Sequence, residues 1–137
     1  LLREGAKYGV GQNRLIFAKP VSPHEYLARF ACADLFLDTS PYNAGITAAD
    51  ALWAGLPVLT CPGKTFTSRM AGSLLNRLGL DEFICGTWFE YVQKAIYFAR
   101  SGSAKRLLEQ KKIRDSSVFD SQSFVRHLED AFKELTG

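Results

Sequence analysis

The sequence is poor in the features that would assign it quickly. Its single methionine is Met70, and it opens on Leu1, so the 137 residues are expected to be a piece of a longer protein. No apolar run approaches about 18 residues, so no transmembrane helix is expected. Charge of one sign is scarce. Lys and Arg number 17 against 14 Asp and Glu, and the resulting +3 gives no reason to expect nucleic acid or an anionic membrane as partner. Cys32, Cys61 and Cys85 form neither a CxxC nor a Cys/His pattern. An odd, well-spaced set in apolar context predicts buried free thiols in a reducing, cytoplasmic compartment. His24 stands among apolar residues and prolines without a spaced ligand partner, so no metal is expected. There is no GxGxxG and no GxSxG, and Pro62-Gly-Lys-Thr65 lacks the upstream glycine of a Walker loop. There is no internal repeat and no low-complexity stretch.

What remains is an ordinary globular composition, 47% hydrophobic and 23% charged, of a length for one domain. Leu1–Tyr8 reads as a helix stopped at Gly9. Arg14–Ala18 reads as a buried strand, His24–Ala33 as a helix, and Leu35–Leu37 as a strand. A loop leads into a helix from Ile46 to Ala54, followed by a strand at Pro57–Thr60. Ser68–Leu78 reads as a helix and Glu82–Cys85 as a short strand. Thr87–Arg100, Ala104–Ser117 and Gln122–Leu135 read as helices, so the chain becomes helical from about residue 87. Strand–helix alternation with unalternated apolar strands predicts an α/β fold, a Rossmann-like parallel sheet with helices on both faces. Only three or four strands are visible where such sheets have about five or six, so the first strands are expected upstream. Tyr91, Tyr97, Phe89, Phe98 and Trp88 recur near helical spacing and are expected in the core. Lys105–Arg114, with five cations and one anion, reads as a solvated face.

Ligands of open α/β sheets bind beyond the carboxyl ends of the strands. Three segments lie there: Lys19–His24, Asp38–Thr47 and Cys61–Ser68. From Phe30 to Gly63 the only charged residues are Asp34, Asp38 and Asp50, which makes these aspartates conspicuous. Asn43-Ala-Gly-Ile-Thr-Ala-Ala-Asp50 runs from a glycine loop into a helix whose first N–H groups would attract an anion. Thr47 offers a hydroxyl to a phosphate and Asp50 a carboxylate to a ribose. The same Thr47-Ala-Ala-Asp50 also matches a capping box, which needs no ligand. Both readings stay open on spacing alone.

An ordered series of motifs resembles one family. Tyr26-Leu-Ala-Arg29 is followed by Ala33-Asp-Leu-Phe-Leu-Asp-Thr39, then Pro41-Tyr-Asn43 and Thr47-Ala-Ala-Asp-Ala-Leu-Trp-Ala-Gly-Leu-Pro57. Gly63-Lys-Thr-Phe-Thr-Ser-Arg69, Ala71-Gly-Ser-Leu-Leu75 and Leu78-Gly-Leu80 complete it. The series resembles the O-linked N-acetylglucosamine transferase family, with its bacterial members and plant SPINDLY relatives.

The resemblance implies a GT-B glycosyltransferase of two Rossmann-like lobes, this chain being most of the C-terminal, nucleotide-sugar-binding lobe. It implies a UDP-N-acetylglucosamine donor, inversion at the sugar carbon, no metal or other cofactor, and Ser/Thr hydroxyls of acceptor proteins. The SPINDLY branch uses GDP-fucose, and tetratricopeptide repeats usually lie upstream. Carried over by residue, Val21-Ser22-Pro-His24 matches the base-binding loop and Arg29 an arginine near the base. Tyr26 falls where animal enzymes set a histidine against uracil. Thr47 matches a threonine on the diphosphate and Asp50 the ribose carboxylate. Gly45-Ile46 stands where many members have His-Thr, which leaves Thr47 and the helix N-terminus to face the phosphates. The family's important lysine is expected ahead of Leu1, so no complete active site is expected within the chain. Two alternatives remain. One is a degenerate lobe kept as a nucleotide-binding or interaction module. The other is a dinucleotide-dependent oxidoreductase, weakened by the missing GxGxxG.

Overall fold

A computed structural model describes residues 1–111 and 113–136. Helix α1 (Leu2–Lys7) precedes a 3-10 turn at Gln12–Arg14. Helix α2 (Pro23–Arg29) begins with proline in its first turn and a complete Ser22–Glu25 capping box, then tightens into a 3-10 turn at Phe30–Cys32. Strand β1 (Phe36–Leu37), helix α3 (Ile46–Trp53) and strand β2 (Val58–Leu59) form a β–α–β unit. The strands are parallel, with Phe36 opposite Val58 and Leu37 opposite Leu59. Helix α4 (Met70–Arg77) follows, and a single parallel bridge joins Thr60 to Ile84. Helices α5 (Trp88–Ser101) and α6 (Ser103–Glu109) are joined by Gly102 at φ 61°, a left-handed turn that glycine adopts without steric cost. Helix α7 (Ser121–Thr136) ends the described chain.

The core lies around β2. Val58, Leu59, Leu52, Leu56, Leu75, Leu80 and Phe83 are fully or almost fully buried. Alanines at 48, 51 and 71 let α3 and α4 pack closely. Phe83 and Phe98 stack with centroids 5.2 Å apart, which seats α5 on the sheet. No described helix is long and apolar enough to cross a membrane.

Four expectations are corrected. Arg14–Ala18 forms no strand: Ile16 is 88% and Phe17 62% exposed, and the segment has no ladder partner. An apolar run becomes a strand only where a neighbouring edge receives its N–H and C=O groups. The expected helix at Ala104–Ser117 stops at Glu109, and 3-10 turns follow at Ile113–Asp115 and Ser117–Phe119. Ala104 and Leu108 are buried on one face, but a continued helix would carry Ile113 about 140° round from Leu108. Ile113 reaches the core because the helix ends. The basic run faces solvent as expected: Arg106, Lys111 and Arg114 are exposed, Lys105 pairs with the exposed Asp34 at 3.3 Å, and the Arg114 guanidinium lies over Trp53. Lys112 of that run lies outside the described residues. Finally, only Tyr91 and Phe98 of the five aromatics are buried, and Cys32 is exposed while Cys61 and Cys85 are buried.

Asp38, at the end of β1, is the main polar anchor. It is buried, and its Oδ1 accepts from the N–H of Thr39 (2.9 Å) and Ala44 (2.7 Å). Its Oδ2 accepts from the Thr60 hydroxyl at 2.6 Å, and its backbone carbonyl accepts from the Tyr91 hydroxyl at 2.9 Å. Removing the carboxyl leaves three donors without their acceptor in a dry site. Asp38→Ala is expected to destabilise the chain by about 2–5 kcal/mol, read from the urea unfolding midpoint. A shift near zero would mean that water replaces the carboxyl at no cost.

Burial pushes the Tyr91 hydroxyl up to about 12, with the Asp38 carboxylate adding to it, and the Cys85 thiol up to about 11. The ordinary values are 10.0 and 9.0, so the native state disfavours both ionised forms. Their contribution to stability is fully present below about pH 9 and is lost as pH rises toward 12. The urea midpoint should fall between pH 9 and 11, and Cys85→Ala should flatten that fall. An unchanged midpoint over this window contradicts the assignment.

Candidate functional site

The loop from Thr39 to Gly45 turns the chain from the end of β1 to the start of α3. The Thr39 hydroxyl donates to the Tyr42 carbonyl at 2.8 Å, and Asn43 Nδ2 donates to the Thr39 carbonyl at 2.7 Å. Asn43 N–H donates to the Thr67 carbonyl at 2.9 Å, which ties this loop to the one after β2. The loop borders an open cavity of about 500 Å³ whose lining includes Gly45, Ile46, Thr47, Phe36 and Met70.

Gly45 is the N-cap of α3 and makes no side-chain cap bond, and the first turn holds no acidic residue. Ala48 and Ala49 N–H both donate to the Gly45 carbonyl. Among the described residues, Ile46 and Thr47 N–H have no protein acceptor. Thr47 lies two positions inside the helix and Asp50 five, so the capping box expected of Thr47 and Asp50 does not form. Both side chains are thereby left for other partners. Asp50 takes the Tyr26 hydroxyl, which donates to its Oδ2 at 3.3 Å. Burial, with the Asp50 carboxylate beside it, pushes the Tyr26 pKa up. The Tyr26 ring meets Phe30 edge-on, with centroids 5.1 Å apart.

The remaining residues of the expected site serve the local backbone. The Ser22 hydroxyl accepts from Glu25 N–H at 3.4 Å and donates to Glu25 Oε2 at 2.7 Å. Those bonds hold the Glu25 carboxyl below its ordinary pKa. Arg29 Nη1 donates to the Lys19 carbonyl at 3.0 Å, folding the 19–22 segment against α2. His24 is exposed. The structure therefore brings Gly45, Ile46 and Thr47 together in the cavity wall. Asp50 and Tyr26 meet beside them, and Ser22, His24 and Arg29 lie outside the cavity lining.

Two residues escaped the sequence reading. Asn43 is 1% exposed, and its Oδ1 has no partner. A lone amide in a charge-poor loop was the only signal. Met70 places its terminal methyl where a Cβ on Gly45 would stand. That methyl is the far end of a flexible side chain, so a side chain at 45 requires Met70 to move aside, although 45 and 70 are far apart in sequence. Gly45→Ala should cost no more than about 1 kcal/mol, the displacement of a flexible thioether, and a Gly45→Ala/Met70→Ala cycle should return a coupling of about 0.5 kcal/mol. Strictly additive effects in urea unfolding would show that Met70 does not restrict position 45.

A helix N-terminus, its hydroxyl and a nearby carboxylate beyond the ends of parallel strands define the ligand edge of an α/β nucleotide-type lobe. The chain belongs to glycosyl transferase family 41, whose profile matches residues 1–128. It is 33% identical over 95% of its length to a probable UDP-N-acetylglucosamine–peptide N-acetylglucosaminyltransferase SEC of Arabidopsis thaliana. It is 30% identical over 93% of its length to the UDP-N-acetylglucosamine–peptide N-acetylglucosaminyltransferase of Caenorhabditis elegans. A probable SPINDLY transferase of Hordeum vulgare is 33% identical over 82% of the chain. The chain spans only 14%, 11% and 12% of these relatives. A solved mutant of Thermobaculum terrenum O-GlcNAc transferase superposes with a TM-score of 0.86 at 35% identity, over 97% of this chain and 26% of that one. The α/β fold is that of the C-terminal lobe of a GT-B transferase.

Proposed function

We propose that residues 1–137 are the nucleotide-sugar-binding part of a protein O-glycosyltransferase that moves N-acetylglucosamine from UDP-N-acetylglucosamine to Ser/Thr hydroxyls. The observation that carries the reading is the cavity at the start of α3, lined by Gly45, Ile46 and Thr47 with unpaired N–H groups at the helix start, and with Asp50 one turn further along the helix, in a chain of family 41. In an inverting transfer the acceptor oxygen bonds to the sugar carbon as the bond to the diphosphate breaks. Negative charge grows on the departing phosphate. The Ile46 and Thr47 N–H groups and the Thr47 hydroxyl are suited to receive it without a metal, and a pre-aligned helix terminus needs no reorganisation. Asp50 is suited to accept from ribose hydroxyls once the Tyr26 hydroxyl gives way. The groups that act on the acceptor belong, on this reading, to the other lobe.

In the full-length protein, Asp50→Asn should weaken UDP binding by about 1–3 kcal/mol in calorimetric titration, with little change in thermal midpoint. A large loss of stability at unchanged UDP affinity would overturn the ribose role, and a preference for NAD would overturn the family's donor chemistry. Residues 1–137 alone should retain weak UDP affinity and transfer no radiolabelled N-acetylglucosamine to a protein lysate. Transfer above the buffer blank would overturn the division between binding and reacting groups.

A second reading is a lobe that binds nucleotide without turnover. The observation favouring it is that Gly45 and the exposed, apolar Ile46 offer no polar side chain at the start of α3. Transfer by the full-length protein separates the two.

A further inference from the structure

A second cavity, of about 680 Å³, lies along the outer face of α4. Arg69, Ser73 and Arg77 recur at intervals of four residues and so share one helix face, with Met70 and Leu74 beside them. Lys64 and Phe66 close one end, and Val118 borders the other. Three cations thus line an apolar floor, and no carboxylate lines it with them. Among the described residues, none of the three is in an ion pair. The carboxylate lining the next cavity beyond Arg77, Asp120, already accepts from Ser123 N–H at the start of α7.

Two features set this face apart from ordinary solvated charge. Arg69 is the N-cap of α4, and the first turn holds no acidic residue, so a cation stands unneutralised at the positive end of a helix. The cations also sit on a fixed frame. Gly63 N–H donates to the Ser68 carbonyl, Thr65 N–H donates to the Ser68 hydroxyl, and that hydroxyl donates to the Thr65 carbonyl. Phe66, between Lys64 and Arg69, is 82% exposed. An aromatic ring flanked by cations beside an apolar floor suits a peptide better than a free anion.

We infer that this groove takes an extended acidic polypeptide segment, with carboxylates set to meet Arg69 and Arg77. Eight residues of helix separate these arginines by about 12 Å. An extended chain covers that in about four residues, which also returns side chains to the same face. Met70 lines both this groove and the α3 cavity, so a peptide held here runs beside the proposed donor site. The identification of that peptide as an acceptor rests on the transferase reading; the charge selectivity of the groove does not.

The test uses the full-length protein and fluorescein-labelled Ser/Ala decapeptides bearing two Glu, two Gln or two Lys residues four positions apart, read by anisotropy. The Glu peptide should bind about tenfold more tightly than the Gln peptide, and the advantage should shrink at high salt. Arg69→Glu/Arg77→Glu should abolish that preference and turn it toward the Lys peptide, and Arg77→Gln alone should reduce it. UDP titration of the same samples reports the α3 site separately, so loss of UDP binding with peptide preference intact would sink only the nucleotide reading. Equal binding of Glu and Gln peptides, a preference that survives the double substitution, or tighter binding of a single-stranded oligonucleotide of equal charge would each overturn the inference.

Discussion

The site hangs on one buried carboxyl. Asp38 is at the last turn of backbone that β1 supplies, and it gathers the next residue, the loop's far end at Ala44 and the neighbouring strand through Thr60. A short acidic side chain can do this because it offers several lone pairs and no donor to be satisfied in return. The loop it closes begins α3, so the direction of the helix N-terminus follows from where Asp38 sits. Tyr91 on α5 secures the Asp38 carbonyl, and Thr67 secures Asn43 from behind. Such a hub is strong only when every partner is present, which is why its failure is expected to be cooperative.

The cavity it supports has an unusual division of labour. The Met70 methyl stands where a Cβ on Gly45 would, and Ile46 is exposed and apolar, so at the start of α3 polar chemistry falls to backbone N–H groups and Thr47. Backbone donors are held by the helix and are indifferent to side-chain identity, so anion binding can persist where individual side chains have been exchanged. A flexible thioether fills an irregular gap at low strain, which makes methionine a natural occupant of space left by a deleted side chain.

The β–α–β order, the parallel sheet and the helices from residue 87 onward were legible because alternating apolar blocks and Gly/Pro breaks are local signals. The fate of Arg14–Ala18 was not, because a strand depends on a partner edge that its own residues do not encode. The Thr47–Asp50 spacing read equally as a cap and as a ligand pair, and Ser22–Glu25 shares that spacing. Only Ser22–Glu25 closes into a box, with Pro23 presetting the first helical φ, while α3 starts at Ile46 and leaves Thr47 and Asp50 inside it. The exposed Trp88, Phe89 and Tyr97 illustrate the same limit: helical spacing marks faces, and packing decides which face is covered.

The contrast between Asp38 and Asp50 separates frame from site. Asp38 is buried, with three contacts between 2.6 and 2.9 Å, and has no capacity to change partners without opening the core. Asp50 is half-buried and holds one phenol at 3.3 Å, a long bond that costs little to exchange for another donor. Tyr26 thereby links the α2 side of the molecule to α3 through one exchangeable contact, while Arg29 and Ser22 hold the 19–25 segment through bonds of their own. A rigid carboxyl that shapes the loop and a half-buried one with a single long contact are different uses of one side-chain chemistry. Burial and the number of donors, set by the fold, decide which is which.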